Sequence, residues 1–88
     1  LSEFRSTIML RIHPAARNHG ISDADIDHAV KHAMASEELG DWKRLYLGPG
    51  RDGGILEIVT LARKPKPEIV IHAMKMRQKY TRILSGER

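Results

Sequence analysis

The sequence predicts an α+β domain in which helices pack on a small antiparallel sheet, and three observations lead there. Runs rich in β-branched or alternating apolar residues occur at Thr7–Ile12, Trp42–Leu47, Ile55–Ala62 and Glu68–Met74. Apolar residues return at the 3.6-residue period of a helix at Asp23–Met34 and again at Lys75–Leu84. Between two of the strands lies GPGRDGG (Gly48–Gly54), a cluster of turn residues that reads as a hairpin. The resulting order is strand, helical segments, three strands, helix, which is a three-stranded meander with an N-terminal strand available as a fourth. With 88 residues the chain has room for one domain, 1–88, and we set residues 1–7 aside as a disordered or extraneous tail.

Each element has a local cause. In TIMLRI (Thr7–Ile12) the apolar residues favour a strand, and Pro14 then holds His13 extended and can open a short helical turn. Gly20 is placed to end that turn. Ser22 is a good N-cap for the following helix, and Asp23 and Asp25 fall in its first turn, where the helix dipole favours negative charge. Ile26, Ala29, Val30, Ala33 and Met34 make its apolar stripe. Glu37, Glu38 and Asp41 read as a polar connection, and KPKP (Lys64–Pro67) breaks the chain before the last strand. On the final helix Met76, Tyr80, Ile83 and Leu84 share one face.

Composition narrows the function. No apolar run approaches the roughly 18 residues that a membrane span needs. The absence of cysteine removes disulfides and thiolate metal sites and suits a reducing compartment, so a cytoplasmic location without membrane attachment is expected. The net charge of +4 is unevenly placed. Residues 1–62 carry 7 basic and 9 acidic side chains, whereas residues 63–88 carry 8 basic against 2 acidic. Such an asymmetry fits a polyanionic partner.

The candidate site follows from EIVIHAMKMRQKY (Glu68–Tyr80). By helical spacing Lys75, Lys79 and Arg82 fall on one flank of the last helix, where three cations can meet successive phosphates, with Arg77 on the other flank. By strand alternation His72 shares a face with Val70 and Met74, opposite Ile69 and Ile71. An imidazole there, beside cations, can exchange a proton during attack of an RNA 2′-hydroxyl on the adjacent phosphorus. Tyr80 falls on the apolar stripe with its hydroxyl at the edge of the core. His28 and His32 are four apart, but HAVKH lacks the glutamate of a metalloprotease helix and lies opposite the apolar stripe, so both read as solvated. Neither a metal nor a cofactor is expected. GPGRDGG matches no phosphate-binding loop, which leaves Arg51 as an outward contact.

In order and spacing, RNHGISDADIDHA (Arg17–Ala29), the glycine-rich hairpin, the LEIV strand and IVIHAMKMRQKY resemble the BrnT-type toxins of the RelE superfamily. HGIS (His19–Ser22) is similar to the family's KHGVS. The resemblance implies a RelE/BrnT-like fold and the toxin of a bacterial type II toxin and antitoxin pair. Such a protein is a metal-independent endoribonuclease that inhibits translation by cleaving RNA, free or ribosome-bound. Its cognate antitoxin holds it inactive and alone contacts operator DNA. His72, Ala73 and Met74 stand where the family tends to have Ser-Ala-Arg, and the segment Pro14–His19 is shorter than its usual spacing. On this basis His72, Arg77 and Tyr80 are the catalytic candidates, and Lys75, Lys79 and Arg82 the phosphate-binding ones. The competing expectation is a non-catalytic basic module that binds nucleic acid or an acidic partner protein.

Overall fold

In the computed structural model, which describes residues 10–86, a five-stranded mixed sheet carries helical segments on both faces. The strands are β1 (Arg11–Ile12), β2 (Ala35–Gly40), β3 (Lys43–Pro49), β4 (Ile55–Leu61) and β5 (Ile69–Lys75), in the spatial order β1-β5-β4-β3-β2. β1 runs parallel to β5, and every other pair is antiparallel. Helix α1 spans Asp23–Lys31 and α2 spans Thr81–Leu84, with 3-10 turns at Pro14–Arg17 and Gln78–Tyr80. The α+β class therefore holds, and the meander has four strands where the sequence suggested three. Of the first predicted strand, Thr7–Met9 lie outside the described residues.

The unpredicted strand is β2. Its residues ASEELG are mostly exposed because it is an edge strand, and polar side chains on an edge are what discourages further pairing. Such a strand lacks the apolar alternation that signals a half-buried one.

α1 begins where its cap dictates: Ser22 Oγ accepts the backbone N–H of Asp25 at 3.1 Å. It ends at Lys31, three residues earlier than the apolar spacing suggests, because the Met34 N–H donates to the Leu47 carbonyl at 2.8 Å and draws the chain toward β3. Met34 is exposed as a result and leaves the predicted stripe. The helix crosses β3 at Gly48, whose hypothetical Cβ would stand 2.1 Å from the Ala29 carbonyl oxygen, so only glycine permits this approach.

Two apolar clusters sit on opposite faces of the sheet. On one, Ile26 and Ala29 of α1 and Ala16 pack on Leu56, Ile58, Val70 and Ala73. On the other, Leu45, Leu47 and Val59 are covered by Ile71, Met76, Tyr80, Ile83 and Leu84. The C-terminal segment thus closes the second face, and this is what brings the basic residues to the sheet.

Candidate functional site

β4 presents one charged side chain between apolar neighbours. Glu57 is 0 % exposed and stands opposite Leu47 on β3 and Met74 on β5. A buried carboxylate needs partners, and it has two. Arg77 donates its backbone N–H to Oε1 at 2.8 Å, its Nε–H to both oxygens at 3.1 and 3.0 Å, and its Nη2–H to Oε2 at 2.6 Å. His72 Nε2 lies 2.9 Å from Oε2. Burial pushes the Glu57 carboxyl up, but the Arg77 hydrogen bonds, the His72 bond and the Arg77 charge together outweigh it and hold the group below the usual glutamate range.

An ionised carboxylate only accepts hydrogen bonds, so the His72 Nε2 carries the proton in that contact. In the neutral imidazole the lone pair is then on Nδ1. This is the arrangement by which a carboxylate fixes the tautomer of a catalytic histidine and stabilises the imidazolium once formed. The side chain of His72 is 29 % exposed and that of Arg77 45 %, so both can meet a ligand while Glu57 anchors them from within.

Two features of the backbone create the constellation. Between Val59 and Thr60 the pairing with β5 shifts, with His72 opposite Val59 but Val70 opposite Thr60, leaving Ile71 as the extra residue of a bulge. The bulge breaks the alternation expected from the sequence. Val70 packs under α1, while His72 moves to the register side of Met74 and Glu57, so His72 and Val70 do not share a face. The second feature is where the last strand ends. Met76 N–H donates to the Ile55 carbonyl at 3.0 Å and prolongs the ladder, and Arg77 is extended (φ −85°, ψ 155°) with its N–H fixed by Glu57.

A helix from Lys75 is therefore not formed, which corrects the expected flank of Lys75, Lys79 and Arg82. Lys75 ends β5, opposite Leu56, and lines a cavity of about 460 Å³ with Ile21, Asp25, Asp52 and Met76. Lys79 stands with its Nζ 5.1 Å from the Tyr80 ring centroid, and the Arg77 guanidinium carbon lies 5.8 Å from the same centroid. Arg82 is exposed on α2. Through Glu57 and the Tyr80 ring the structure links His72, Arg77, Tyr80 and Lys79, while Lys75 sits beside Leu56 on the sheet face that α1 covers.

Glu57 and His19 were not singled out in the sequence. Glu57 is legible in hindsight as the lone charge in ILEIVTL (Ile55–Leu61). His19, the histidine of HGIS, places its ring edge-on to His72 with centroids 5.7 Å apart. Two other readings also change. Arg51 is exposed as expected, but it is also held in place: its N–H and Nε–H donate to Asp25 Oδ1 at 2.9 and 2.8 Å, tying the hairpin to α1. His28 is not merely solvated, since its Nδ1 makes a 2.8 Å hydrogen bond with the Pro49 carbonyl, and its ring stacks near His32 at 4.3 Å.

Among the described residues no three histidine, cysteine, aspartate or glutamate side chains stand together as a metal-binding group, and no helix is long and apolar enough to cross a membrane. Comparison with protein-family models, curated proteins and solved structures gives no match.

Proposed function

We propose that the protein is a RelE/BrnT-like endoribonuclease, the cytoplasmic toxin of a bacterial toxin and antitoxin pair, whose Glu57–His72 dyad acts beside Arg77 without a metal. The observation that carries this reading is the buried Glu57 bonded at once to an accessible imidazole and an accessible guanidinium. In the reaction, His72 Nδ1 removes the proton of a ribose 2′-hydroxyl as that oxygen attacks the adjacent phosphorus. The bond from phosphorus to the 5′-oxygen breaks, leaving a 2′,3′-cyclic phosphate and a 5′-hydroxyl. Arg77 and Lys79 offset the charge that builds on the phosphoryl oxygens, and the Tyr80 hydroxyl returns a proton to the leaving oxygen. Arg82 holds a flanking phosphate, whereas Lys75, beside Leu56 on the face that α1 covers, takes no part in this step. The antitoxin would cover this basic surface.

Inducible expression in a bacterial host tests the proposal. The wild type arrests growth, and His72→Ala and Arg77→Ala, expressed to the same level, do not. Arrest that persists undiminished in His72→Ala removes the dyad from the mechanism.

The double hold of Glu57 on Arg77 also supports a second reading, because it ties β4 to the C-terminal segment without any chemistry. In that case the protein binds nucleic acid or an acidic partner without turnover. Its nucleic-acid affinity then falls steeply with salt while the RNA stays intact.

A further inference from the structure

The hairpin joining β2 to β3 turns at Asp41 and Trp42, both in the left-handed region with φ of 53° and 63°. Two-residue hairpin turns of this kind favour asparagine and glycine, and a bulky residue at positive φ is a real outlier. Trp42 is nonetheless there and is 56 % exposed. Local stability does not explain it, since glycine would satisfy the same backbone without strain. Strained residues of this sort concentrate where a ligand is held.

The surroundings identify the ligand. The Arg63 guanidinium lies over the indole, 4.6 Å from the ring centroid. The Ala62 N–H donates to the Trp42 carbonyl at 2.8 Å, which fixes the start of the Arg63–Lys66 loop against the hairpin tip. Lys43, Lys64 and Lys66 are exposed at this end of the sheet, and the turn residue Asp41, also exposed, carries the opposing charge. Arg44 is already paired with Glu38. An exposed aromatic ring among cations is the combination by which proteins hold unpaired bases: the ring stacks on the base and the cations follow the backbone. We propose that Trp42 and Arg63, with Lys43, Lys64 and Lys66, form a stacking site for a base of single-stranded nucleic acid.

This site is separate from the Glu57 cluster. Along β4, Leu61 is four residue steps from Glu57, about 14 Å at strand rise. It does not depend on cleavage, and a protein that never cuts RNA would use it in the same way.

Trp42 is the sole tryptophan, so intrinsic fluorescence reports on this position alone. The test uses the full chain and an oligodeoxyadenylate of about eight nucleotides. Lacking a 2′-hydroxyl, this probe cannot undergo the proposed cleavage, so failure of the nuclease reading leaves the result intact. Saturable quenching is expected, with weaker quenching by a duplex of the same length. By anisotropy of a labelled copy, Trp42→Gly should raise Kd about 5- to 150-fold. Glycine suits the left-handed backbone, so the melting temperature should not fall, and loss of binding cannot be charged to unfolding. Arg63→Ala should reduce the salt slope by about 0.7. Absent quenching, equal quenching by the duplex, or Trp42→Gly binding within about twofold of wild type would each overturn the proposal, since stacking on the indole requires the larger loss. Such a result would turn attention to a protein partner at this tip.

Discussion

Replacement of Glu57 by alanine is the perturbation to which the structure assigns the clearest cost. The side chain is 0 % exposed and receives hydrogen bonds from the Arg77 backbone, the Arg77 guanidinium and His72. Breaking a fully buried charged pair costs about 3–5 kcal/mol, but the cationic partner is 45 % exposed here and water can solvate it in the variant, which lowers the expectation. The Arg77 N–H loses its acceptor as well, and a donor left unpaired costs up to about 1–3 kcal/mol. Adding the void left by the removed side chain, we expect Glu57→Ala to destabilise the protein by about 3 kcal/mol. For a domain of this size that is roughly 12–24 °C in Tm. Glu57→Gln keeps the volume but sets an amide donor against donors, so about 2 kcal/mol is expected.

The pH dependence gives a second check with a definite sign. The folded state lowers the Glu57 pKa below its ordinary value of 4.5. The contribution is therefore present above about pH 4.5 and is lost as pH falls through the lower folded value. Thermal melts of wild type and Glu57→Gln from neutral pH to about pH 3 should converge on the acid side. A Glu57→Ala variant that melts within about 4 °C of wild type at neutral pH, with an unchanged acid limb, would refute the organising role given to this carboxylate.

Three further outcomes follow from the fold. Gly48→Ala places a Cβ 2.1 Å from the Ala29 carbonyl oxygen and 2.9 Å from Ala33 Cα, so α1 must lift from β3; a loss of about 3 kcal/mol is expected in denaturant melts. Ser22→Ala removes the cap accepted by Asp25 N–H and should cost about 1 kcal/mol, read as a shift of the same midpoint. The Arg51 side chain, followed by its backbone N–H, lowers the Asp25 carboxyl to about 2, from an ordinary value of 3.8. The stabilisation is complete above pH 3.8 and disappears toward pH 2, and Arg51→Ala should raise the Asp25 pKa measured by carbon-detected NMR titration.

Legibility in the sequence tracks how local the causes are. Ser22, Asp23 and Asp25 mark the start of α1 to the residue, because capping is settled within one turn. The hairpin at Gly50–Gly54 is equally local, with Gly53 at φ 92°. β2 is hidden because an edge strand answers to its neighbour's hydrogen bonds rather than to its own side chains. The end of β5 is misread for a related reason: Met76–Leu84 has helical spacing, but the Ile55 carbonyl and Glu57 hold Met76 and Arg77 extended from across the sheet. His72 was legible as a candidate, yet its face was not, since one bulge residue at Ile71 reverses the alternation. Glu57 shows only as a charge in an apolar strand, and nothing in one strand tells that two distant donors will meet it.

The central claim is tested most directly by incubating the purified protein with a long end-labelled RNA in EDTA, alongside His72→Ala and Glu57→Gln, and resolving the products on a denaturing gel. The variants are compared at a temperature where each is folded, and the same set is run in a translating extract. The account predicts defined fragments from the wild type, ending in 2′,3′-cyclic phosphate, which vanish in His72→Ala and are strongly reduced in Glu57→Gln. RNA left intact by the wild type in both settings, or the same fragments from His72→Ala, would contradict it.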